Sequence, residues 1–300
     1  MARSIDPIVS TEWLEAQLPS GGVPGAPGAE GPAGPDTPVI IDIREPHLYE
    51  AGHIPGAISI PFSPVSDWAT STDELLMELP VDEDLFKVVG EWGMTTDSRV
   101  VLVGTLEPAP APPYALSDAP RVAATLIYAG VKNVAVLEGG YPKWAGEGKL
   151  STTAVPEVCP LAYSGSVAAG MFVPTEYVRD HIGTAAIVDG RDPDQYFGVT
   201  VCPFAGVKGH IPTARNLPAA WMWEEDGSYR PIEVLEQMAA GVLGQRRDVE
   251  VITYCGVGGY AAAWWYVLTQ ILGYTDVKIY DGAAEAWAKD NAMVLYSWTS

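Results

Sequence analysis

Cysteine is scarce in this 300-residue chain, with only Cys159, Cys202 and Cys255 present. Three such scattered residues make no disulfide framework, and no Cys-x-x-Cys or His-Cys cluster offers a metal site. Any cysteine chemistry is therefore expected to use one reactive thiol. Basic residues are also few: 17 Lys and Arg stand against 38 Asp and Glu, a net charge of −21. That balance opposes loose association with nucleic acid or an anionic membrane surface, while leaving room for a basic or electron-rich partner. Long apolar runs are missing too. The opening Met1-Ala2-Arg3-Ser4-Ile5-Asp6-Pro7 has no apolar leader segment, and no stretch approaches the roughly 18 uncharged apolar residues of a membrane span. The expectation is a soluble, cytoplasmic protein.

What is present is apolar content of 48%, enough for two cores, in a chain longer than one core usually serves. The same ordered signals occur once in each half, which reads as a duplication. Helix starts appear at Val9-Ser10-Thr11-Glu12 and Val173-Pro174-Thr175-Glu176. Apolar runs ending in Asp follow, Val39 to Asp42 and Ala186 to Asp189, each with an arginine two residues on (Arg44, Arg191). Then come Gly52-His53-Ile54-Pro55 and Gly209-His210-Ile211-Pro212, and buried-strand runs at Val100 to Val103 and Val251 to Tyr254. Helical patterns ending at Gly130 and Gly273 lead to closing strands Val134 to Leu137 and Val277 to Tyr280. Short apolar strands alternating with helices predict an α/β fold, each half a mostly parallel sheet with helices on both faces. The expected domains are 1–150 and 167–300, joined by a linker over 151–166. The Pro- and Gly-rich stretches Pro19 to Pro38 and Glu107 to Pro113 read as loops.

Ligands of such sheets sit beyond the carboxyl ends of the strands, at helix N-termini. Cys255 stands there, directly after Val251 to Tyr254, and opens Cys255-Gly256-Val257-Gly258-Gly259-Tyr260-Ala261 ahead of a helix expected over Ala262 to Leu272. Glycines let the loop turn successive N–H groups inward as an anion nest, which favours thiolate over thiol. The competing reading is a small buried cysteine in a glycine turn.

At these residues the chain resembles the rhodanese family, specifically the two-domain thiosulfate and 3-mercaptopyruvate sulfurtransferases. Tyr49-Glu50-Ala51-Gly52-His53-Ile54-Pro55-Gly56-Ala57-Ile58-Ser59-Ile60 is similar to the family's N-terminal signature. Glu138-Gly139-Gly140-Tyr141-Pro142-Lys143-Trp144 and Tyr280-Asp281-Gly282-Ala283-Ala284-Glu285-Ala286-Trp287 resemble, more loosely, its C-terminal one. The family places its catalytic cysteine at the start of a six-residue loop in the second domain, where Cys255 stands. The first half offers Gly104-Thr105 at that place, so one active site follows and the N-terminal domain is non-catalytic. The resemblance implies tandem rhodanese-like domains and sulfane sulfur transfer: Cys255 takes sulfur from a small anionic donor such as thiosulfate or 3-mercaptopyruvate and holds it as a persulfide. The loop N–H groups from Gly256 through Val257, Gly258, Gly259 and Tyr260 to Ala261 stabilise it until cyanide, a small thiol or a thioredoxin-like protein accepts it. No metal and no organic cofactor is implied.

Arg191 matches a family arginine that binds the donor's anionic group, a role that competes with an ion pair to Asp189 or Asp192. Mercaptopyruvate enzymes usually carry a second arginine where this chain has Gln195. Thiosulfate enzymes present a basic residue and mercaptopyruvate enzymes a Ser at Val257, and a Thr often stands at Tyr260. The pocket is thus expected to be more apolar, with Tyr260 either a phenolic donor or packing. Thr213 replaces the family's Gly in the second copy of the His motif. His53 and His210 read as structural, Lys208 as a solvated loop residue and Cys159 as inert. Cys202 lies in an insertion, Val199 to Val207, that in this family often lies near the site, and is either a second reactive thiol or an ordinary loop cysteine. Trp264, Trp265 and Tyr266 read as packing, whereas Trp221 and Trp223 either pack or wall the donor pocket. The departures leave a second function open, a catalytically weak rhodanese-fold binding or regulatory protein. Phosphatase-type chemistry would need an arginine closing the loop, where positions 261 to 263 are all Ala.

Overall fold

Four-residue runs such as Val39-Ile40-Ile41-Asp42 and Val251-Ile252-Thr253-Tyr254 carry apolar, largely β-branched side chains on both faces, the pattern of a strand covered above and below. In the computed structural model, which describes residues 3–18, 37–72, 74–107 and 113–297, they are the inner strands of two five-stranded sheets. Most of the two Pro-rich loop stretches lies outside the described residues.

The first sheet contains β1 (Ile8–Val9), β2 (Val39–Asp42), β3 (Ile58–Ser59), β6 (Arg99–Val103) and β7 (Asn133–Leu137), in the order β1-β7-β6-β2-β3. β4 (Thr70–Thr72) and β5 (Leu75–Glu78) form a separate antiparallel hairpin. Helices α1 (Thr11–Gln17), α2 (Pro46–Ala51), α3 (Asp82–Glu91), α4 (Asp118–Tyr128) and α5 (Gly140–Gly146) connect them. The second sheet holds β8 (Phe172–Val173), β9 (Ala186–Asp189), β10 (Arg215–Asn216), β11 (Val251–Tyr254) and β12 (Val277–Tyr280), with helices α6 (Thr175–Asp180), α7 (Pro193–Tyr196), α8 (Ile232–Leu243), α9 (Gly259–Tyr266) and α10 (Ala283–Asp290). Its order, β10-β9-β11-β12-β8, is the first order written from the other edge, and every strand pair in both sheets is parallel. The molecule is thus α/β, two parallel sheets flanked by helices.

The duplication extends to single hydrogen bonds. Tyr49 donates its hydroxyl to Ala57 O and Tyr196 to Ala214 O, both at 2.8 Å. Trp144 and Trp287 are fully buried or nearly so, and each donates its indole N–H to a carbonyl five or six residues on, Leu150 O at 3.0 Å and Ala292 O at 3.1 Å. These tryptophans close two separate cores, one around Leu14, Ile54 and Val101, the other around Val178, Ile187 and Ile252.

The chain divides into two compact units, and the division is not a single cut. The first unit is Met1–Ala69, Pro80–Ala168 and Glu225–Ser228; the second is Thr70–Leu79, Ala169–Glu224 and Tyr229–Ser300. The hairpin β4–β5, encoded in the first half, therefore packs with the second sheet. Its Leu79 N–H donates to Asp281 Oδ2 at 2.6 Å and its Leu76 N–H to Glu285 Oε2 at 2.9 Å. Residues 153–168 form no helix or strand and run along the first unit, with Leu161 N–H bonded to Gly90 O and the Tyr163 hydroxyl to Ala129 O. Among the described residues no helix is long and apolar enough to cross a membrane.

Candidate active site at the end of β11

Cys255 follows β11 directly, and its main chain is tied to the first turn of α10 by Ala284 N–H to Cys255 O at 2.9 Å. The equivalent bond in the first sheet, Tyr141 N–H to Gly104 O at 3.0 Å, makes Gly104 the structural counterpart of the cysteine. The end of β11 is further fixed by Gly190 N–H on Tyr254 O at 2.8 Å.

From Cys255 the chain turns through Gly258, whose φ of 109° lies in the left-handed region that a side chain would strain. Helix α9 then begins at Gly259, three residues earlier than the sequence pattern placed it. Intrinsic propensity disfavours Gly259 in a helix, but all eight residues of α9 are buried, and tertiary packing decides the outcome. The early start matters chemically because it places the Ala261 amide in the first turn of the helix, within the cysteine's reach. Gly258 N–H donates to Cys255 Sγ at 3.1 Å, and the backbone amides of Ala261 and Val257 also bond the sulfur. Gly256, Gly259 and Tyr260 complete the loop around it.

The nest does not, however, produce a low thiol pKa. Burial is the largest effect on Cys255, only 4% exposed, and pushes its pKa up; the Ala261, Gly258 and Val257 amides pull it down, and the Asp189 carboxylate pushes it up again. The net direction is upward. The expected sign of the amide contribution is present, but burial outweighs it.

Arg191 is buried, with Nε on both Asp189 oxygens at 2.9 and 3.2 Å, Nη2 on Asp189 Oδ2 at 2.5 Å and Nη2 on Gly209 O at 2.8 Å. Burial works against its charge, and the Asp189 carboxylate more than restores it, holding the guanidinium above its usual range. The Arg44–Asp42 pair in the first half repeats this arrangement down to a bond from Nη2 to Gly52 O. Since Gly104 replaces the cysteine there, this pairing serves the fold independently of any thiol. Arg191 Nη1 is buried and has no hydrogen-bond partner among the described residues. The Tyr254 hydroxyl closes the same network, donating to Asp189 Oδ2 at 2.5 Å and accepting from Ile211 N–H at 3.1 Å.

Cys202 is buried, 1% exposed. A Cβ placed on Gly256 would lie 3.8 Å from Cys202 Sγ and 3.0 Å from Phe204 Cδ2, so the insertion 199–207 folds against the cysteine loop. Cys202 also acts electrostatically on Arg191. Tyr260 is buried with its ring 6.2 Å from that of Trp223, while Trp221 is 55% exposed. Val257 is buried and adds no charge. His53 and His210 stack on Tyr49 and Tyr196 at 3.7 and 4.0 Å and bond those residues' carbonyls through Nδ1 at 2.9 Å, which accounts for both as structural. Thr213, in place of glycine, sits at φ 68°. Cys159 is exposed. No group of three or more His, Cys, Asp or Glu that could hold a metal ion occurs among the described residues.

Comparison with known proteins agrees with this duplicated geometry. The model of the rhodanese-like domain matches twice, over residues 29–147 and 174–290. A chain of Saccharopolyspora erythraea provisionally named a thiosulfate sulfurtransferase is 31% identical over 96% of this chain and 94% of its own length. The sulfur carrier protein TtuD of Thermus thermophilus is 30% identical over 93% of each. The solved wild-type structure of EanB superposes with a TM-score of 0.80 at 22% identity, covering 97% of this chain and 70% of that one. With a matching domain at each sheet and relatives aligned over more than nine-tenths of both chains, the chain belongs to the rhodanese family as a tandem of two rhodanese-like domains.

Proposed function

We propose that the chain is a sulfurtransferase that carries sulfane sulfur as a persulfide on Cys255. The observation that supports this most directly is the convergence of the Gly258, Ala261 and Val257 amides on Cys255 Sγ at the start of α9. In the loading step the Cys255 thiolate attacks the outer sulfur of a small anionic donor. With thiosulfate, the S–S bond breaks and sulfite leaves with its electron pair; with 3-mercaptopyruvate, the C–S bond breaks and pyruvate leaves as its enolate. The terminal persulfide sulfur is an anion, the species that loop N–H groups and a helix N-terminus stabilise. Arg191 Nη1 is a further donor for the anionic group. Transfer to a small thiol, cyanide or a thioredoxin-like protein restores the thiol. The names of TtuD and of the Saccharopolyspora relative support sulfur handling of this kind. Residues 167–300 carry the catalytic machinery in this reading, and 1–150 is non-catalytic.

The test is to incubate the protein with thiosulfate or 3-mercaptopyruvate and quantify sulfite or pyruvate. One equivalent per chain with the wild type and none with Cys255→Ser supports the proposal. No product from either donor, with the protein folded, favours the second reading, a weakly catalytic binding module, which the deep burial and raised pKa of Cys255 would then explain.

A further inference from the structure

We infer that Cys202 is a resolving thiol for the Cys255 persulfide, a role that rests on the sulfur-transfer reading above. The sequence offers the two cysteines 53 residues apart, with nothing local to join them. The fold brings the Cys202 sulfur against Gly256, the residue next to Cys255, at 3.8 Å from where a Cβ would stand. Both thiols are excluded from solvent, at 1% and 4% exposure, so a reaction between them needs no access from outside.

Three further features fit this role. The insertion that carries Cys202 is closed on itself and tied to α7: Cys202 N–H bonds Val207 O at 3.3 Å, Gly206 N–H bonds Cys202 O at 2.9 Å, and Val199 N–H bonds Asp194 O at 2.8 Å. Arg191 lies close enough for Cys202 to act on its charge, and its Nη1 is buried without a hydrogen-bond partner among the described residues. Such an N–H is a donor for whichever sulfur is anionic during thiol exchange. Finally, the partner residue opens a loop whose Gly256 and Gly258 carry no side chain to resist backbone adjustment as a disulfide forms.

The step balances without an external oxidant. The Cys202 thiolate attacks the inner sulfur of the persulfide, the Cys202–Cys255 bond forms, the bond to the outer sulfur breaks, and that sulfur leaves as hydrosulfide. The sulfane sulfur is reduced by two electrons and the two thiols are oxidised to a disulfide. A dithiol reductant then restores both thiols, which assigns the acceptor to a dithiol class and makes hydrosulfide the product. A lone monothiol or cyanide acceptor must intercept the persulfide before Cys202 does.

The experiment loads reduced wild type and Cys202→Ser with thiosulfate in the absence of any acceptor, then measures free sulfide, released sulfite and the non-reducing peptide map. For the wild type, about one sulfide per chain and a peptide linking Cys202 to Cys255 are expected. For Cys202→Ser, a persulfide remaining on Cys255, about 32 Da heavier, and less than a tenth of that sulfide are expected. A wild type that releases sulfite and keeps the extra sulfur on Cys255, with no linked peptide, overturns the inference and leaves the sulfur-transfer reading intact. Absence of sulfite from both proteins, together with absence of pyruvate when 3-mercaptopyruvate is the donor, fails the parent reading, and this one with it. Because the linked peptide is read on the wild type, a poorly folded variant does not remove the test.

Discussion

Tyr254 Oη donates to Asp189 Oδ2 at 2.5 Å across the parallel pair β9–β11, one residue before the cysteine. The same carboxylate holds Arg191, so one buried acid organises the strand end, the guanidinium and the hydroxyl. Its counterpart Asp42 faces Val103 in the register of the first sheet and has no such hydroxyl opposite.

Removing that hydroxyl in Tyr254→Phe leaves the buried Ile211 N–H without its acceptor and Asp189 one donor short. The cost is expected to be about 1–3 kcal/mol, read as a lower midpoint in urea at unchanged slope. A loss below a few tenths of a kcal/mol would mean that the network re-pairs.

The raised pKa of Cys255 sets the direction of its pH response. Below that pKa the thiolate fraction grows about tenfold per pH unit, so iodoacetamide alkylation of Cys255, followed by peptide mass, should climb steadily from pH 6 to beyond pH 9. A plateau beginning below pH 8 would contradict the dominance of burial over the amides. Stability follows the same sign. The folded pKa lies above the unfolded one, so this contribution is full below the unfolded thiol pKa and is lost as the pH rises through the folded value.

Gly258→Ala places a Cβ on a residue at φ 109° that both turns the loop and presents an N–H to the sulfur. Strain on the order of 1–3 kcal/mol and displacement of that donor should lower kcat for sulfur transfer by about 10-fold or more, with a smaller change in KM.

Thr213 offers a gain instead. It holds a β-branched side chain at φ 68°, where its counterpart Gly56 has φ 80°. Thr213→Gly is expected to raise stability by about 1 kcal/mol and Gly56→Thr to lower it by at least as much, both measurable by thermal unfolding.

Much of this architecture is legible in the residue order, because its signals are local. Apolar runs ending in Asp42 and Asp189 give the strands, and the glycines after Cys255 give the turn. The features the order does not disclose depend on contacts distant in the chain. The start of α9 at Gly259 is one: a stretch holding Gly256, Gly258 and Gly259 reads as loop, and burial of every residue from Gly259 to Tyr266 overrides that propensity. The direction of the Cys255 pKa is another, since desolvation is a property of packing. Arg191 reads equally as donor-binding or ion-paired until its fork is seen on Asp189 and Gly209. Cys202 gives only one signal in the sequence, its place in an insertion, and its approach to Gly256 comes from the fold alone.

The hairpin Thr70 to Leu79 has no signal of that sort. Its acceptors Asp281 and Glu285 lie more than 200 residues away in sequence. For anyone dissecting this protein genetically, gene order and packing order therefore disagree. A fragment begun at residue 167 leaves behind the hairpin whose Leu76 and Leu79 amides rest on Glu285 and Asp281, beside the start of α10 that binds Cys255 through Ala284. A fragment ended at residue 150 keeps that hairpin without the carboxylates that accept from its amides. The two copies of the repeat are no longer separable at one point in the gene, because each holds a piece of chain that packs in the other's unit.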